Sequence, residues 1–184
     1  MNAIVPWAEI VSVVEPFYPN LKNHPESGRP AYNLGTMLRI YFLQNRFGDL
    51  SDPDTEEAFY SLFFEFAETD QQKSDPDETT ICKFRRLFEK HRLNQRIFEK
   101  VNHILEEKKL VLREGTIVDA TIISAPRSTK NAERKRDPEM SSTKKGNHRY
   151  HGMKSHIGPD AQSDLTHSLV CTSANVHDIT AANQ

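Results

Sequence analysis

At 184 residues the chain has room for one domain of ordinary size, or for a small helical domain joined to part of a second. A hydrophobic share of 36% beside a charged share of 27% excludes a chain that is apolar throughout, and Cys82 and Cys171 stand too far apart for a disulfide framework or a paired thiolate zinc site. The net charge of −2 hides an asymmetry: nine Lys or Arg between Arg127 and Lys154 oppose only Glu133, Asp137 and Glu139, so one basic segment in an otherwise acidic chain points to a polyanion.

The apolar opening from Ile4 to Val14 is interrupted by Pro6, Glu9 and Ser12 and lacks a basic leader. It is also far shorter than the ~20 apolar residues of a spanning helix. Neither a signal peptide nor a membrane segment is expected, and with so few cysteines the expected location is the cytoplasm. Gly28-Arg29-Pro30 reads either as a loop before a helix or as an arm that inserts Arg29 into the minor groove of A·T-rich DNA.

Up to about residue 110 the apolar positions recur at helical spacing. Leu34, Met37, Leu38, Tyr41 and Phe42 form one stripe, and Ala58, Phe59, Leu62, Phe63 and Phe66 form another. Between them Ser51-Asp52-Pro53 is a helix start, because Pro in a first turn sacrifices no hydrogen bond. A third helix begins near a capping Asp77 and buries Ile81, Phe84, Leu87 and Phe88; a fourth follows Asn94 and buries Ile97, Phe98, Val101, Ile104 and Leu105. Lys83, Arg85, Arg86, Lys90, Arg92 and Arg96 oppose only Glu89 between residues 81 and 96. With the short His91-Arg92-Leu93 link, this pair reads either as a DNA-binding helix-turn-helix or as helices with a solvated basic face.

At Gly115 the helical period gives way to the apolar run 116–123, a strand rich in branched residues and apolar on both faces, as a central strand should be. Residues 125–149 read as a polar, basic, largely unstructured insert. Tyr150 to Ile157 and Leu165 to Ala174 are two more strands around a turn at Gly158-Pro159-Asp160, and His177-Asp178 starts a helix with Asp178 as its cap.

Asp119 stands out inside its apolar strand, since burying a lone carboxylate is costly. Two readings stay open on spacing: a ligand for Mg²⁺, which favours oxygen donors, or an Asp paired with Arg or capping a backbone group. Zinc on His148, His151, His156, His167 and His177 is the weaker idea, because His151 and His156 would face opposite sides of one strand. Lys144, Lys145, Arg149 and Lys154 fit contacts to backbone phosphates.

Taken in order, Gly28-Arg29-Pro30, Leu50-Ser51-Asp52-Pro53, Pro76-Asp77-Glu78-Thr79-Thr80-Ile81, Phe84-Arg85, Gly115-Thr116-Ile117-Val118-Asp119-Ala120-Thr121, Ser128-Thr129-Lys130-Asn131, Lys144-Lys145-Gly146-Asn147, Gly152-Met153-Lys154 and Ala174-Asn175-Val176-His177-Asp178 resemble the ordered motifs of bacterial insertion-sequence transposases of the Asp-Asp-Glu type. The resemblance runs from about residue 28 to the end. It implies an α+β chain: a helical DNA-binding and subunit-contact domain over residues 1–112, then, over 113–184, the first three strands of an incomplete ribonuclease H-like core with the basic insert at 125–149. It places the first metal-binding Asp of the family on Asp119, with Mg²⁺ or Mn²⁺ as cofactor in the complete enzyme and weak binding by this chain alone.

The implied partner is double-stranded DNA at terminal inverted repeats, contacted by Arg29, Lys83, Arg85, Arg86, Lys130, Lys144, Lys145, Arg149 and Lys154, with a homodimer as the expected assembly. The family's second Asp and its Glu have no counterpart among these residues, so the expectation is DNA binding without cleavage unless a second polypeptide completes the site. The competing function is a helical protein-interaction module with a basic tail.

Overall fold

The computed structural model describes residues 5–19, 31–47, 50–58, 75–111, 117, 119–125 and 135–181. The chain divides into two compact units, Met1–His103 and Ile104–Gln184. No described helix is long and apolar enough to cross a membrane.

The described part of the first unit is helical. Helix α1, Trp7–Val14, buries Ile10 and Val14 one turn apart, and a 3₁₀ turn at Glu15–Phe17, with Pro near its start, ends it. Helix α2, Leu34–Arg46, is capped by Asn33, whose Oδ1 accepts from Gly35 N at 2.8 Å and Thr36 N at 3.4 Å. Helix α3, Asp52–Ala58, begins at the Ser-Asp-Pro signal, with Ser51 O accepting from Thr55 N. Of the second apolar stripe only Ala58 is described; Phe59, Leu62, Phe63 and Phe66 lie outside the described residues.

Helix α4, Glu78–His91, takes Asp77 as its cap, the carboxylate accepting from Thr80 N at 2.8 Å. That bond, aided by Thr79, holds the Asp77 carboxyl below its ordinary value. Helix α5, Leu93–Glu107, follows after a single residue: Arg92 adopts a left-handed φ of 50° and donates its N–H to Glu89 O, closing helix α4 where a glycine is more usual. The core gathers Ile10, Val14, Met37, Leu38, Ile40, Ile81, Phe84, Phe88, Leu93 and Ile97. Phe88 stacks 4.4 Å from Tyr41 and 5.0 Å from Phe84, and burying each such side chain contributes about 1.5–3 kcal/mol. Ile97 is buried and Val101 packs against this core, but Phe98, Val101, Ile104 and Leu105 are half-buried, not enclosed as the spacing predicts. At the rim Tyr18 donates to Tyr32 O at 2.9 Å, and burial, then the Tyr32 phenol, pushes its hydroxyl up to about 12.

The second unit is an antiparallel sheet of β1 Asp119–Ser124, β2 Ser141–Lys145, β3 His148–Pro159 and β4 Thr166–Ser173, followed by the short helix α6, Asp178–Ala181. Strand β3 is the spine. Strand β1 pairs with Gly152 to Ile157 and β4 with Met153 to Pro159, so these two occupy opposite edges. Strand β2 pairs with His148 to Gly152 and meets the end of β4, where Ser173 Oγ donates to Ser141 Oγ at 2.6 Å. Gly152 is hemmed in on both sides, and a Cβ there would collide with Ile123 O. Helices followed by a sheet make this the α+β class that the sequence implies.

Three expectations need correction. Strand β1 is not enclosed: among the described residues it pairs with β3 alone, and Asp119, Thr121 and Ile123 are exposed. Its branched apolar composition reported strand propensity, not burial. The insert at 125–149 is not wholly irregular, because residues 141–149 form a β2–β3 hairpin on the two-residue turn Gly146-Asn147, with Gly146 at φ 61°. Gly at the first turn position and alternating residues before it are a hairpin signal that high polarity masks. Finally, the β3–β4 reversal lies at 160–165, past an irregularity between Gly158 and Pro159. Asp160 organises it, its Oδ2 accepting from Ser163 N at 3.0 Å and Ser163 Oγ at 2.8 Å.

Candidate metal strand and nucleic-acid interface

The register sorts the sheet's side chains into two faces, since residues directly opposite share a face and neighbours along a strand alternate. Asp119 lies opposite Ile157 and Thr121 opposite Ser155, with Leu169 and Cys171 continuing the rows on β4. This face is open, with Ile123 54% and Leu169 50% exposed. Asp119 is exposed at its end, and Oδ1 accepts from Ala120 N at 2.8 Å. No arginine holds it among the described residues. The cost of burial therefore does not explain this carboxylate, and it is free to meet a cation from solution.

One carboxylate is not a metal site. Phosphodiester chemistry with two divalent ions about 4 Å apart needs several oxygen ligands, and among the described residues no group of three His, Cys, Asp or Glu could hold a metal. These residues alone do not fit a resident two-ion centre. Asp160 is committed to its turn. Asp178, expected to be a cap, instead stands inside the first turn of α6, where His177 O accepts the helical N–H groups and the Asp178 carboxylate reaches Lys154 at 3.2 Å.

The basic candidates fall into separate groups. On α4, Ile81, Phe84 and Phe88 face the core, which leaves Lys83, Arg86 and Lys90 on one exposed stripe at three- and four-residue spacing. Arg85 is turned elsewhere and pairs with Asp52 at 2.8 Å; the Cys82 side chain and then Asp52 hold its guanidinium above its ordinary value. In the second unit the β2–β3 ribbon sets Lys144 directly opposite Arg149 and Lys145 directly opposite His148, and all four are exposed. Like charges across a strand pair are destabilising, so this arrangement costs the fold something. Lys154 does not join this group, its side chain being only 15% exposed. Arg29 and Lys130 lie outside the described residues.

Sequence reasoning listed the ribbon's cations individually and missed that they are paired across a hairpin. It also missed that Lys154 and Asp178 meet, since no spacing rule links a strand to a helix 24 residues on.

Comparison with known proteins gives two family-level matches. Residues 1–87 match a transposase domain of the DUF772 family, and residues 112–184 match a transposase DDE domain. No solved structure matches the chain. A helical front of one transposase family joined in the same order to a sheet-forming segment of another, with Asp119 at the head of its first strand, leaves only residues 88–111 between the matches. The chain belongs to the insertion-sequence DDE transposases, enzymes of DNA transposition and recombination.

Proposed function

We propose that this chain binds the terminal inverted repeats of an insertion element as double-stranded DNA, and that it does not cut DNA by itself. The ribbon carries the reading. Lys144 and Arg149, exposed and directly opposite one another, with Lys145 at their side, cost stability unless a polyanion neutralises them, and a duplex with one negative charge per ~1.7 Å is such a partner. A two-stranded ribbon also fits the DNA major groove. The exposed stripe of Lys83 and Arg86 supplies a second set of phosphate contacts, with α4 and α5 as the helix-turn-helix candidate; Arg29, Arg85 and Lys130 remain proposed contacts from the resemblance.

Asp119 is proposed as one carboxylate ligand for Mg²⁺ or Mn²⁺. The antiparallel β1–β3–β4 arrangement, with Asp119 at the start of β1, supports a ribonuclease H-like core. In a completed site the metal would supply charge for the attacking and leaving oxygens; what this chain supplies is an exposed carboxylate on an open sheet face. A homodimer through the helical unit and a cytoplasmic location complete the proposal.

A second reading, completion by further strands from another polypeptide, is favoured by one observation. Strand β1 has a partner on one side only among the described residues, and Ile117, at 52% exposed, with Ile123 and Leu169 leaves apolar surface open beside it.

The test is a mobility-shift and cleavage assay on a duplex ending in the inverted repeat, with and without Mg²⁺. Binding that prefers the repeat over a scrambled duplex, with both strands intact, is expected. Mg²⁺-dependent cleavage that disappears in Asp119→Asn would show that the chain is a complete nuclease and overturn the incompleteness.

A further inference from the structure

Two blocks of the transposase resemblance, Gly152-Met153-Lys154 and Ala174-Asn175-Val176-His177-Asp178, lie outside the basic ribbon and the metal strand, although the sequence offers Lys154 as a phosphate contact. The fold brings them together. Lys154 and His156 are two residues apart on β3 and so share a face, alongside Ile122 and Ala120 of β1 and Thr172 and Val170 of β4. This is the face opposite Asp119, whose neighbours across the sheet are one residue out of step.

Lys154 Nζ donates to Val176 O at 2.8 Å and to Asp178 Oδ1 at 3.2 Å, so one ammonium ties both the turn before α6 and the helix's first residue to the sheet. His156 adds a second tie. Its side chain is only 4% exposed, and Nδ1 stands 3.5 Å from the same Asp178 Oδ1. The other ring nitrogen, Nε2, meets Thr172 Oγ1 at 2.9 Å, and Thr172 Oγ1 donates its own hydrogen to Ser173 O at 3.2 Å. Nδ1, buried and without another hydrogen-bond partner among the described residues, faces the carboxylate and ties the ring to it when it carries the hydrogen.

We propose that Lys154, His156 and Asp178 form a latch that fixes the start of α6 on the face of the sheet opposite Asp119, and that Lys154 is a positioning residue and not a ligand of DNA phosphate. Each motif block supplies half of a contact that neither strand nor helix makes alone. The arrangement also keeps the front face, with Asp119, Thr121 and Ser155, clear for a metal and a phosphate.

The experiment uses the full chain. The first measurement is the long-range ¹H–¹⁵N spectrum of the His156 ring in wild type and in Asp178→Asn, with amide exchange of Thr180 and Ala181, which donate to His177 O. Expected are a hydrogen on Nδ1 in wild type, a displaced Nδ1 resonance in Asp178→Asn, and at least a tenfold loss of amide protection in Lys154→Met that Lys154→Arg restores. An Nδ1 that carries no hydrogen, or an Nδ1 signal indifferent to Asp178→Asn, would overturn the latch. The second measurement is the salt dependence of DNA binding by Lys154→Met. A slope unchanged from wild type is expected; a slope reduced by about 0.9, the contribution of one phosphate contact, contradicts the proposal. Failure of the chain to bind DNA would defeat the functional reading but leave the ring and amide measurements able to decide the latch.

Discussion

Replacing Lys144, Lys145 and Arg149 together with Gln separates the cost of the ribbon's charges from their use. In the free protein Lys144 lies directly opposite Arg149 and Lys145 opposite His148, all exposed. Removing the like-charge opposition of Lys144 and Arg149 is worth about 0.2–1 kcal/mol, so the triple variant should unfold at an equal or slightly higher urea concentration than wild type. Binding should move the other way. Each phosphate neutralised contributes about −0.9 to the slope of log K against log[salt], and three lost contacts flatten it by about 2.7. Fluorescence anisotropy with a labelled inverted-repeat duplex between about 50 and 200 mM salt resolves a change of that size. A slope within 0.5 of wild type, by about half of one contact on that scale, would refute the assignment of the ribbon to DNA. So would a marked loss of stability, since it would mean these side chains hold the fold together.

Other consequences concern the scaffold. Phe88→Ala empties a site where the ring is 1% exposed, and should cost about 3–5 kcal/mol in urea unfolding of the helical unit. Asp77→Ala removes the cap of α4 and should cost about 1 kcal/mol at neutral pH. Because the folded Asp77 carboxyl lies below its ordinary 3.8, its stabilisation is complete above that value and lost as the pH falls through the lower folded one; the difference between wild type and Asp77→Ala should therefore shrink in acid titrations followed by circular dichroism. Gly152→Ala forces a methyl group against Ile123 O and should destabilise the sheet by about 1–3 kcal/mol, seen as lost amide protection in β1 and β3 with the α4 amides unaffected.

The helical unit was legible because its signals are local. Asn33 was not singled out, but Asp77 and Ser51-Asp52-Pro53 announce their helices through hydrogen bonds that span three or four residues. The Phe84 and Phe88 stripe follows from a period that any core-facing helix must have. In the sheet the legible part was strand existence, and the illegible part was position. A run such as Ile117 to Ile123 has the same branched residues at an edge as in the middle of a sheet, so Asp119 was placed in a buried setting that the fold does not give it. The insert was read by its polarity, although Gly146-Asn147 carried the turn. Lys154 looked like one more basic residue, and only the packing of α6 against β3 separates it from Lys144 and Lys145.

The metal ligand assigned to Asp119 is tested most directly by titrating the full chain with Mn²⁺ and following paramagnetic broadening of its backbone amides. Broadening should be weak, reach saturation only at high Mn²⁺, centre on Asp119, Ala120 and the facing Ile157, and vanish in Asp119→Asn. Broadening centred on the acidic helical unit, or around Asp119 undiminished by that substitution, would contradict the assignment.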